Sequence, residues 1–134
     1  MMNEENMLSV LKRGLLFRNM EDSEILEALE TIASHRRSYP KRTLVLRDGD
    51  CMSQVGVILS GTLHLFHIDA NGNSNLMEEL GAGEAIGLLN AIGGYRLHIS
   101  AEATEETEIL FLNVSQLLRT NVLTAPVQIR FLQN

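Results

Sequence analysis

The chain has 134 residues, 45% of them hydrophobic, and a formal net charge of −6. That suits one compact domain, large enough to bury a core without disulfide or metal support. Its acidic balance and lack of a strongly basic block exclude strong nucleic-acid binding by this chain alone, since phosphate contacts need clustered Lys and Arg. A lone cysteine, Cys51, can neither close an internal disulfide nor hold a zinc ion or iron–sulfur cluster by itself, which favours a reducing, cytoplasmic setting. Nothing approaches the roughly 18 apolar residues of a membrane span, and Met1–Met7 is polar and acidic rather than a secretory leader.

In chain order, a short helix or irregular segment is predicted over Met7–Arg13. Ile25, Leu26, Leu29, Ile32 and Ala33 then recur at helical spacing, with Asp22, Ser23 and Glu24 supplying caps and negative charge at the start. The basic run Arg36, Arg37, Lys41 and Arg42 around Pro40 reads as a solvated turn. From Arg37 to Asn113 short apolar runs alternate with Gly, Asp, Asn and Ser clusters. The runs are Thr43–Leu46, Gln54–Leu59, Thr62–Ile68, Asn75–Leu80, Leu97–Ala103 and Glu108–Leu112. Such spacing predicts an antiparallel sandwich or barrel of about eight strands. Asn71-Gly72 is the sharpest turn, expected to pair Thr62–Ile68 with Asn75–Leu80 through positive φ at both residues. Asn113 and Gln116 form a capping-box-like pair for a helix carrying Leu117 and Leu118. Another helix is predicted to begin after Pro126 and to break off at Asn134.

This order of elements resembles the cyclic-nucleotide-binding-domain fold of the catabolite-activator/Fnr (Crp/Fnr) family of bacterial transcription regulators. Local patterns carry the resemblance: Leu15–Met20 followed by Ser23–Leu26, Leu44–Asp50 with its Asp48-Gly49 turn, Val57–Leu63 around Ser60-Gly61, and Leu80–Gly87 around Gly83-Glu84. The resemblance implies a mainly β antiparallel roll, or jelly roll of the double-stranded β-helix, cupin-like type, with flanking helices. The whole chain reads as a single effector-sensing domain: N-terminal helices about 5–34, the β-roll about 36–113, and a C-terminal helical part about 114–134, cut before the DNA-binding module. It further implies a cytoplasmic regulator that captures a small-molecule effector and dimerises through the C-terminal helix. DNA and RNA polymerase would be engaged only by the full-length protein, and no membrane is involved.

In cyclic-nucleotide binders of this fold, a Gly-Glu pair opens a short helix. The Glu accepts from the ribose hydroxyl, the helix N-terminus offers amides to the cyclic phosphate, and an Arg-Ser/Thr-Ala triplet about ten residues on neutralises it. Gly83-Glu84 is present here, with a helix expected from Ala85. The triplet is not: its position falls on Leu97-His98-Ile99, with Arg96 one residue away, a slip that sends a strand side chain to the opposite face. The candidate ligand-binding residues are therefore Gly83, Glu84, Ala85, Ile86, Arg96, Leu97, His98 and Ile99. With Leu97 and Ile99 inward and His98 opposite, the pocket is apolar with a polar end at Glu84, and its effector is not cyclic AMP.

Alternatives stay open at particular residues. Glu84 is either a ligand contact or a solvated carboxylate capping the turn. Arg96 is a rim residue or a phosphate ligand. His98 is an effector contact or an ordinary partly buried histidine. His64 and His67, three apart on a strand, point to opposite faces and lack the His-x-His of a cupin metal site, so no metal or other cofactor is expected. Met20, Met52 and Met77 read as core filler, and Cys51 beside Asp48 and Asp50 lacks the electropositive setting of a redox thiol. Competing functions are a genuine cyclic AMP or cyclic GMP domain, a cupin-like metal enzyme and a ligand-free interaction domain. No nucleophile–base set is evident, so the chain is read as a non-enzyme.

Overall fold

The computed structural model describes residues 3–14, 17–31, 34–50, 54–87 and 98–113. Helix α1 spans Glu4–Arg13. It begins earlier than periodicity suggests because the Asn3 side chain accepts the Asn6 N–H at 2.8 Å. Glu4 and Glu5 lie in its first turn, Lys12 and Arg13 in its last, each placed to oppose the helix dipole. Helix α2 spans Asp22–Thr31, with Glu24 Oε1 accepting the Glu21 N–H at 2.9 Å ahead of it. A Lys12–Asp22 ion pair ties the two helices together. Ile25 and Ala28 are buried on α2 and Leu26 and Leu29 partly so; Ile32 and Ala33 fall outside the described residues.

Eight strands follow among the described residues: β1 Ser34–Tyr39, β2 Leu44–Leu46, β3 Val55–Ser60, β4 Leu63–Ile68, β5 Ser74–Leu80, β6 Ala85–Ile86, β7 Ser100–Ala103 and β8 Thr107–Leu112. They form two four-stranded sheets, ordered β1-β8-β3-β6 and β2-β7-β4-β5, and every pairing is antiparallel. The β-roll expected from the turn spacing is the architecture observed.

Side chains of the first sheet alternate between two cores, as the pleat requires. Val55, Val57, Leu59, Leu110 and Leu112 pack against α1 and α2. Ile58, Ile109, Phe111 and Tyr39 face the second sheet, where they meet Leu63, Leu65, Leu80, Ala101 and Ala103. Gly56 sits where a Cβ would come within 3.1–3.3 Å of the Ile109, Phe111 and Ile86 side chains. An isolated glycine inside an apolar strand is what such close approach demands.

Several expectations are corrected. Arg36 and Arg37 are not in a solvated turn; they lie on β1, in register with Leu110 and Ile109 of β8. Arg36 Nε donates to Glu108 Oε1 at 2.6 Å, and the Glu108 side chain is only 7% exposed. A buried carboxylate needs such a partner, so one arginine of the run is spent inside the fold. Lys41 and Arg42 do occupy a turn and are exposed. Met20 is buried, but Met77 is 63% exposed on β5; Met52 lies outside the described residues.

The β4–β5 hairpin forms as expected, but not through a two-residue turn. Its loop is Asp69–Asn73, and of the Asn71-Gly72 pair only Gly72 takes positive φ, at +83°. Asp69 organises the rest. Its carboxylate Oδ1 accepts the N–H groups of Asn71 and Asn73 at 2.9 and 3.0 Å, and its carbonyl accepts the Gly72 N–H at 3.0 Å. This is an Asx-turn nested in a longer loop.

Candidate functional site

The turn that carries Gly83 and Glu84 closes β5 and leads into β6. Gly83 is buried with φ +90°, a conformation that favours glycine. Its N–H donates to the Ile58 carbonyl at 2.8 Å, and the Ile58 N–H donates to the Glu84 carbonyl at 2.9 Å. Both backbones are thus stitched to β3. The Glu84 N–H donates to the Gly81 carbonyl at 3.1 Å, while its side-chain Oε1 accepts the Gly81 N–H at 3.0 Å. Glu84 is exposed, and among the described residues its second carboxylate oxygen takes no hydrogen bond.

The end of α1 rests against this turn. A Cβ on Gly14 would collide with the Gly83 carbonyl, so two glycine backbones meet where side chains would hold them apart.

Ala85 and Ile86 form strand β6, in register with Val57 and Gly56. This corrects the helix expected from Ala85: pairing with β3 takes these two residues into the sheet, and the amides of Gly83 and Glu84 are engaged within the fold. Ala85 packs towards the helix-side core and Ile86 is buried in the core between the sheets. Beyond Gly87, the residues to Leu97 lie outside those described, and Arg96 and Leu97 with them. His98 is exposed, and Ile99 is half-buried against the same inter-sheet core as Ile86. Ser100, which opens β7, is buried and accepts the Asp48 N–H on its Oγ at 3.1 Å.

The fold therefore brings Ile86 and Ile99 into one apolar cluster and sets Glu84 at the surface of the adjoining turn. Sequence reasoning missed Gly56 and Phe111, which complete that cluster with Ile86; the lone glycine within Val55–Leu59 was the available signal. At the β1 side of the same core, burial pushes the Tyr39 hydroxyl's pKa above its ordinary value, opposed by the Arg37 guanidinium, which lies 5.3 Å from the ring centroid. His64 Nε2 meets Glu79 Oε2 at 2.8 Å across β4 and β5, and His67 is exposed. The described residues contain no cluster of three or more His, Cys, Asp or Glu able to hold a metal ion. No described helix is long and apolar enough to cross a membrane.

Comparison with known proteins gives this two-sheet roll, with its glycine–glutamate turn leading into the inter-sheet core, a family. Residues 36–120 match the family described as "Cyclic nucleotide-binding domain". That is more than half of the chain, and the chain belongs to this family. It is 29% identical over 102 residues to the cyclic AMP receptor protein of Thermus thermophilus, covering 76% of this chain and 46% of that protein. The crystal structure of the Thermus thermophilus catabolite activator protein superposes with a TM-score of 0.72 at 27% identity, covering 88% of this chain and 54% of that one. A cyclic nucleotide-binding domain from Methylobacillus flagellatus gives a TM-score of 0.79 at 21% identity, covering 96% of this chain and 71% of that one. The chain thus spans about half the length of the regulators it matches. The family and its β-roll are those the sequence motifs suggested.

Proposed function

We propose that the chain is the effector-sensing domain of a Crp/Fnr-type transcription regulator. A small molecule would bind in the roll beside the Gly83–Ile86 turn and the Leu97–Ile99 segment. The observation that carries this is the convergence of Ile86 and Ile99 on one apolar core next to a carboxylate with an uncommitted oxygen. The domain acts by binding and not by catalysis. Its effector shifts a homodimer formed through the C-terminal helix, and DNA and RNA polymerase are engaged by the full-length protein. No metal or other cofactor takes part in this reading.

The effector in this reading is not cyclic AMP. Without the Arg-Ser/Thr-Ala triplet, a cyclic phosphate would be buried without its guanidinium, close to Glu84, and an uncompensated buried charge costs several kcal/mol. Arg96 is one residue out of place for the role. The second reading, a genuine cyclic nucleotide domain, draws on the similarity to a cyclic AMP receptor protein.

Calorimetric titration with cyclic AMP separates the two. The expected result is no saturable binding in the micromolar range. Micromolar binding that Arg96→Ala abolishes would establish the nucleotide reading and place Arg96 on the phosphate.

A further inference from the structure

We propose that Asn71 is a deamidation site that Asp69 holds closed. Asn71-Gly72 is the dipeptide in which this reaction is sterically least hindered, because glycine puts no side chain beside the attacking nitrogen. In the reaction the Gly72 backbone nitrogen gives up its proton and attacks Asn71 Cγ. A C–N bond forms, the Cγ–amide bond breaks and ammonia leaves, producing a five-membered succinimide. Water then opens the ring at either carbonyl, giving aspartate or isoaspartate; the net change is asparagine plus water to a carboxylate plus ammonia.

Both residues are exposed, so water has access. What the loop withholds is freedom of the nucleophile. The Gly72 N–H is donated to the Asp69 carbonyl at 3.0 Å. The Asn71 N–H is donated to Asp69 Oδ1 at 2.9 Å, and the same oxygen accepts the Asn73 N–H at 3.0 Å. The Asp69 N–H in turn donates to the Asn73 carbonyl at 3.0 Å. To reach Cγ, the Gly72 nitrogen must lose its acceptor and rotate about the Asn71 Cα–C bond. That rotation breaks the turn built on Asp69.

When the lock fails, the product stays changed. Isoaspartate adds a backbone carbon to a loop that connects β4 and β5 in fixed register, and either product adds a carboxylate two residues from Asp69. The modification would therefore accumulate as a record of how often the hairpin loop opens.

The test compares the purified folded chain, the same chain unfolded in urea, and the variants Asp69→Ala and Asp69→Asn, all incubated at neutral pH. Peptide mapping that separates aspartate from isoaspartate at position 71 supplies the rate. Wild-type chain should convert more slowly folded than unfolded. Asp69→Ala should convert about tenfold faster than folded wild type, which corresponds to about 1.4 kcal/mol. Asp69→Asn keeps an Oδ1 acceptor and should stay close to wild type, which separates the hydrogen bonds from the charge. Circular dichroism confirms that both variants are folded. Equal rates in folded and unfolded wild type would overturn the proposal without any variant, and equal rates in folded Asp69→Ala and wild type would overturn the role of Asp69.

Discussion

Strands β8 and β5 belong to the same roll, are of similar length, and meet opposite environments. All six residues of β8 are buried. Of the seven in β5 only Leu80 is, although Leu76 and Met77 are large apolar residues too. The difference lies in what surrounds each strand. β8 runs between β1 and β3, with the helix-side core on one face and the inter-sheet core on the other. Among the described residues β5 is an edge strand with β4 on one side only, and the pairing carries a register shift opposite Leu65 and Phe66. An apolar side chain is buried when the topology brings it a partner on its own face; hydrophobicity alone does not decide it.

The largest effects should fall on β8. Ile109→Ala removes a fully buried side chain between the sheets and should cost about 3–4 kcal/mol. Leu76→Ala on β5 should stay within about 0.5 kcal/mol. Urea unfolding of both variants measures the contrast, and comparable losses would break it. The glycine turns sharpen the same point. Gly61 has φ +92°, and a Cβ there would collide with Thr107 and Glu106 where β8 begins, so Gly61→Ala should cost about 3 kcal/mol. Gly72, at φ +83° beside β5, has nothing within 4 Å of its built Cβ, and Gly72→Ala should cost only about 1 kcal/mol.

A smaller effect is expected at the polar end of β8. Arg36→Ala leaves the Glu108 carboxylate, 7% exposed, without its guanidinium, at a cost of about 2 kcal/mol in thermal or urea unfolding. The smallest lies in the β5 loop. Hydrogen bonds from the Asn73 and Asn71 backbones hold the Asp69 pKa below its ordinary value. A carboxyl with a lowered folded pKa contributes its stability above the unfolded value, about 3.9, and loses it as pH falls through the folded value. Hydrogen exchange at Asn71 and Asn73 should therefore show loss of protection only at acid pH. Asp69→Asn should remove that dependence.

The parts of the fold legible in the sequence are those in which local chemistry and topology agree. The β4–β5 hairpin announced itself through alternating apolar residues around Asn71-Gly72, and α2 through Ile25, Leu26 and Leu29. Strand β1 did not, because Ser34–Tyr39 holds two arginines and a histidine where an apolar run was sought. Arg36 pairs there with Glu108, 72 residues away, a partner no local pattern reveals. The helix expected from Ala85 came from the family resemblance, and a two-residue strand carries no periodicity to oppose it; pairing with β3 makes Ala85 and Ile86 strand β6. At the candidate site the Gly83-Glu84 motif was readable and its backbone engagement with Ile58 was not. That engagement depends on which strand lies alongside.

The strand at the centre of the first sheet is also the last of the eight to be synthesised. β1 and β3 gain their common neighbour only when residues 107–112 have left the ribosome, since β8 supplies the pairing that joins them. Until then the nascent chain carries β1 and β3 with unpaired edges, and β3 with its apolar faces uncovered, the condition that invites association between unfinished chains. Closure over so long a stretch of sequence also slows folding once the strand arrives. A truncation just before Thr107 would therefore remove far more than a terminal strand: it would cut β1 off from the sheet and leave β3 with β6 as its one neighbour among the described strands.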